Sequence, residues 1–185
     1  DKKAVLIEQQ NNYPWDGNLI FKVTPKSSAV FALRVRIPGW AQNQAMPSDL
    51  YTFQSPSDKK VEIRVNGQPA AFTLEKGYAV LSRNWKKGDV VEVNLPMEVR
   101  RVVANSNLKD DLGKVALQRG PLIYCAEWPD NNGKVSNLIV PGEASFTTEF
   151  KPAMLNGVTI LKSEVPAIQI SKEQKVSTVN QPFVA

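Results

Sequence analysis

Cys125 and Glu127 lie two residues apart in GKVALQRGPLIYCAEW, residues 113–128, a stretch that holds the only cysteine of the chain. A thiol near a carboxylate could do nucleophilic chemistry, but the thiolate is the reactive form and needs an imidazole, a cation or a metal to stabilise it. The 185 residues contain no histidine, so neither Cys-His nor Ser-His catalysis can be assembled from them. In a strand, Glu127 shares a face with Cys125, and its charge would oppose thiolate formation. A structural zinc site takes about four ligands, mostly Cys or His, against one cysteine here. These residue types favour Cys125 as a small buried filler, part of a core wall.

Paired carboxylates are the other candidate chemistry. Glycoside hydrolysis uses two Asp or Glu side chains held roughly 5–9.5 Å apart. With 18 acids in the chain, some pairs lie close by chance. Asp110-Asp111 falls in a polar turn, and Glu62 and Glu92 alternate with apolar residues and should face solvent. No pair stands out as catalytic. No phosphate-cradling glycine loop is present either.

Four tryptophans remain. Trp15 in NNYPWDGN and Trp40 in RIPGWAQN sit beside Pro and Gly at strand ends, in loops. Such rings can cap a core, dock onto another domain or stack on a sugar. Tyr13, Trp15 and Trp40 are the candidates for an interdomain or sugar contact.

The elements that must position these residues read as strands. In VFALRVRIP, Phe31, Leu33, Val35 and Ile37 fall on one face, with Ala32, Arg34 and Arg36 on the other. NLIFKVTP places Leu19, Phe21 and Val23 together. VEIRVNGQPA turns Val61, Ile63 and Val65 inward, and Asn66-Gly67 supplies the positive-φ pair of a tight hairpin. GYAVLSRNWKKGDVVEVNLP reads as strand, turn at Lys87-Gly88-Asp89, and strand ended by Pro96. MEVRRVVA follows as another strand, then the polar run NSNLKDDLG. Two further strands are expected near 158–162 and 166–170. Short strands punctuated by 13 prolines and 10 glycines predict an all-β, antiparallel sandwich of jelly-roll or immunoglobulin-like type, as two packed subdomains. The expected division is a sandwich over 1–104 and another over 114–185, joined by the 105–113 loop.

The net charge of +5 would suit nucleic acid only if the basic residues clustered. Lys59-Lys60, Lys86-Lys87 and Arg100-Arg101 are instead spread along the chain with acids nearby, so nucleic acid is not an expected partner. No apolar run reaches 18 residues, so no membrane span is expected. One cysteine suits a cytosolic protein and an exported, bridge-free bacterial one alike. Both ends read as cuts within a longer polypeptide.

Several phrases in order, YPWDG, LRVRIPGW, IRVNG, GYAVLSRNWKKGDVVEVNLPMEVRRV and GKVALQRGPLIYC, resemble the region that follows the catalytic barrel in β-L-arabinofuranosidase-like glycoside hydrolases, family 127. The likeness is close over residues 5 to 128 and looser beyond. It implies a middle and a C-terminal β-sandwich behind an (α/α)6 barrel. The family's cysteine nucleophile, zinc ligands and acid/base glutamate belong to that barrel, and none of their motifs has a match here. The resemblance therefore implies no catalytic, cofactor or metal residue in this fragment, with zinc confined to the parent's catalytic domain. It implies a bacterial parent, expected in the periplasm or secreted. The expected partners are the catalytic domain of the same polypeptide, then a second copy of the chain and plant-derived carbohydrate. The leading expectation is a non-catalytic accessory region that docks onto and stabilises the barrel. The rivals are a carbohydrate-binding module using the loop tryptophans and an autonomous enzyme.

Overall fold

The computed structural model describes residues 4–185. Its strands, in chain order, begin with β1 (Val5–Asn11), β2 (Asn18–Pro25), β3 (Ala29–Arg36), β4 (Tyr51–Phe53) and β5 (Glu62–Val65). They continue with β6 (Gln68–Pro69), β7 (Thr73–Glu75), β8 (Tyr78–Trp85), β9 (Asp89–Asn94) and β10 (Val99–Ala104). The last are β11 (Ala116–Arg119), β12 (Leu122–Tyr124), β13 (Thr147–Lys151), β14 (Val158–Ile170) and β15 (Val176–Val184). Every pairing among them is antiparallel, and the described residues form only short 3-10 turns besides. The expected all-β antiparallel sandwich is what the chain adopts.

Four sheets make two sandwiches. In the first, the sheet β1-β2-β9-β5-β6 faces the sheet β3-β8-β7. Alternation explains their shared core: Leu19 and Val23, Leu33 and Val35, Ile63 and Val65, and Val91 and Val93 all point inward. Trp85 is fully buried there, stacked on Phe31 at 5.8 Å and donating its indole N–H to the Phe31 carbonyl at 3.0 Å. Asn66 and Gly67 take φ of +54° and +76°, as a two-residue hairpin between β5 and β6 requires. The Lys87-Gly88 turn differs: β8 and β9 belong to opposite sheets, so this turn crosses the sandwich.

The second sandwich packs β12-β11-β10-β4 against β13-β14-β15. Its core gathers Leu117 from the first of these sheets with Leu161, Val165 and Phe183 from the other. The polar 105–113 segment connects β10 to β11, which pair with each other. β14 runs unbroken where two strands were expected, straight through Pro166. Leu161 and Ala185 exchange both backbone bonds, at 2.7 and 3.1 Å. Alternate residues of β14, Pro166 among them, therefore turn their amides away from β15. β13 has already ended on that side, where the isolated Leu138–Ala167 bridge follows. Ile139 N–H donates to the Pro166 carbonyl at 2.9 Å, and the missing proline N–H leaves that pair with one bond and breaks no strand ladder.

Candidate functional site

Cys125 is exposed, which corrects the expectation of a buried filler. The cause is its strand. β12 is the outer strand of its sheet, and alternation there turns Leu122 and Tyr124 inward. Ile123, 60% exposed, Cys125 and Glu127 are turned out instead. Glu127, two residues on, was the sequence's sign that this face is open.

The outward face lines a groove of about 890 Å³. Its walls are mainly aliphatic, with Ile123 from β12, Met154 and Leu155 from the loop after β13, Ile160 from β14 and Val184 at the end of β15 beside the Tyr124 ring. Trp15 borders it from the loop between β1 and β2, so both sandwiches contribute. The Arg119 guanidinium holds that loop by donating to the Trp15 carbonyl at 2.8 Å. Burial pushes the Tyr124 phenol up, against the pull of the same guanidinium. Asn131, fully buried, fixes the far rim. Its amide donates to the carbonyls of Glu127 and Val184, both at 2.8 Å, and accepts from the Val184 N–H at 3.0 Å.

Charged groups are few: Glu127, Asp130 and Lys151. The Cys125 thiol lies 3.8 Å from its hydrogen-bond acceptor, the Ala126 carbonyl. Among the described residues no three His, Cys, Asp or Glu side chains gather closely enough to hold a metal ion. What the groove offers chemically is exposed apolar surface with few charged groups.

The three aromatic candidates do not share one cavity. Tyr13 is 40% exposed, in the same loop as Trp15. Trp40 is half-buried on the first core, and it lines a separate small cavity with Phe53, Arg100 and Gln118. It thus lies at the seam between the sandwiches. Gly120 faces it there: a Cβ at that position would sit 2.6 Å from Met97 Cε and Sδ and 3.8 Å from Trp40 Cη2. Ile123, Met154, Leu155 and Asn131 carry no local signal of this site in the sequence. The first three are ordinary apolar residues whose exposure depends on distant strands, and Asn131 sits in the loop DNNGKVSN.

Two family models match consecutive parts of the chain. The model of the β-L-arabinofuranosidase GH127 middle domain matches residues 1–97, and that of the glycoside hydrolase family 127 C-terminal domain matches 99–184. A non-reducing end β-L-arabinofuranosidase from Bifidobacterium longum is 36% identical over 174 residues, which are 90% of this chain and 23% of that protein. Among solved structures, a GH127 β-arabinofuranosidase superimposes with a TM-score of 0.91 at 37% identity, over all of this chain and 29% of the other. A GH127 β-L-arabinofuranosidase from Geobacillus stearothermophilus T6 gives 0.82 at 33% identity, over all of this chain and 28% of the other. The chain spans about a quarter of the length of these relatives.

Proposed function

This chain belongs to glycoside hydrolase family 127, spanning its middle and C-terminal domains, and from that we propose that it is the non-catalytic sandwich region of a β-L-arabinofuranosidase-like enzyme. Its work is to cover and steady a catalytic domain that lies elsewhere in the same polypeptide. The observation that carries this reading is the whole-chain superposition onto 29% of a GH127 β-arabinofuranosidase. The bond-breaking groups then belong to the remainder, and any zinc with them. We place the division between the two domains near Glu98, because β10 pairs with β11 and β4 and so sides with the second sandwich. The parent is proposed to act outside the cytoplasm on plant-derived carbohydrate.

The groove is the proposed docking face, since burying an aliphatic surface of this kind is favourable at roughly 25 cal/mol per Å². Cys125 within it is a built-in reporter. A thiol reagent should label it rapidly in the isolated chain and slowly when the chain is joined to its catalytic domain. Equal rates in both would remove the groove from the docking proposal. Trp15 and Tyr124 bring aromatic rings to the groove, but its lining is otherwise mainly aliphatic with few polar groups, which favours docking over a carbohydrate platform flanked by hydrogen-bonding groups.

A further inference from the structure

We infer that residues 43–57, carrying β4, form a donated strap that joins the two sandwiches into one cooperative unit, with the C-terminal sandwich dependent on it for a complete sheet. The strap leaves the first sandwich after β3 and returns to it at β5, yet its strand pairs with β10 of the second. Thr52 lies opposite Val103, and Phe53 opposite the buried Val102. The ladder extends past the strand at both ends. Gln54 N–H donates to the Arg101 carbonyl at 2.9 Å, and Asn105 N–H donates to the Leu50 carbonyl at 2.7 Å.

Side chains lock the same seam. The Tyr51 hydroxyl donates to Asp111 at 2.7 Å, across to the β10–β11 connection. The Arg100 guanidinium lies 3.4 Å above the Phe53 ring and donates to the Ser55 carbonyl at 2.7 Å. Ser57 hydrogen-bonds Glu98, which also pairs with Lys59 at 3.4 Å. At the strap's base, the Asn43 amide donates to the Ser57 carbonyl at 3.1 Å and its oxygen accepts the Ser57 N–H at 2.8 Å. The base is thus closed, as in a compact Ω-loop, and β4 is presented in an extended form. Without it, β10 would expose a row of unpaired backbone groups. The inference rests on contacts within the chain and is independent of the docking proposal.

Native-state hydrogen exchange on the 185-residue chain tests it. Coupled sandwiches should open together, so the slowest amides of β2 and β9 and those of β11 and β14 should differ by less than about tenfold in protection. Thr52→Pro removes a ladder donor while changing an exposed side chain. It should lower protection in β10, β11 and β14 by at least about tenfold. Arg100→Ala leaves the backbone ladder intact and should act in the same direction more mildly, which keeps the test readable if the proline variant fails to fold. An equal fall in both sandwiches also supports coupling, because only a coupled pair transmits the lesion to β2 and β9. Loss confined to residues 49–56, with β11 and β14 unchanged in both variants, overturns the inference.

Discussion

The Asn66 side-chain amide donates to the Asp89 carboxylate at 3.0 Å, tying the β5–β6 hairpin to the crossover between β8 and β9. The other Asp89 oxygen accepts the Lys86 N–H at 2.8 Å, while Asn66 exchanges backbone and side-chain bonds with Val90. Two turns, each legible alone as a turn, are one polar joint at the end of the first sandwich.

That joint should make stability depend on acid pH. Burial alone would push the Asp89 carboxyl up. The Lys86 N–H, the Asn66 amide and the charges of Arg83 and Lys86 outweigh it, leaving the group below the usual aspartate range. A lowered folded-state value stabilises the fold above the ordinary aspartate pKa and loses that contribution as pH falls through the folded value. Asp89→Ala should cost about 1–3 kcal/mol near neutrality. Urea melts taken from pH 7 downward through the aspartate range should show the gap between wild type and variant narrowing, and a constant gap would contradict the assignment.

Gly120 should not tolerate a side chain. Its φ is +58°, and a Cβ would press on Met97. Gly120→Ala is expected to destabilise by about 1–3 kcal/mol through strain and overpacking. Combining it with Met97→Ala should relieve the overpacking but not the backbone strain. Chemical denaturation of the single and double variants separates the two.

Asn131→Ala should cost about 1–3 kcal/mol, because it strands two carbonyls and the Val184 N–H beside the groove. Hydrogen exchange at Val184 reads the loss directly, and an unchanged rate there would show that the rim does not depend on Asn131.

Leu155 is 82% exposed. Leu155→Ser should therefore leave the stability of the isolated chain within about 0.5 kcal/mol of wild type. In the polypeptide that includes the catalytic domain, the same change should speed Cys125 labelling by loosening the docked face. Labelling that stays slow would place the contact elsewhere.

Calorimetric titration with arabinan-type oligosaccharides at millimolar concentration should give no heat with this chain. Binding that disappears in Trp15→Ala would instead favour the carbohydrate-binding reading.

Much of the architecture is written locally. Alternation in residues 29–37 and 61–65 set which side chains enter the first core, and Asn66-Gly67 set the hairpin, because period-two burial and positive φ are properties of neighbouring residues. The missing histidines likewise ruled out imidazole catalysis within the chain whatever its fold. Tertiary structure alone decided that β4 joins the second sandwich and that Trp40 lies at the seam, and it decided that Cys125 lines an open groove rather than a wall, for which Glu127 on the same face was the one local sign. Each of those outcomes depends on which strand edges remain unpaired once distant segments have met, and pairing between residues some fifty positions apart leaves no mark in local periodicity.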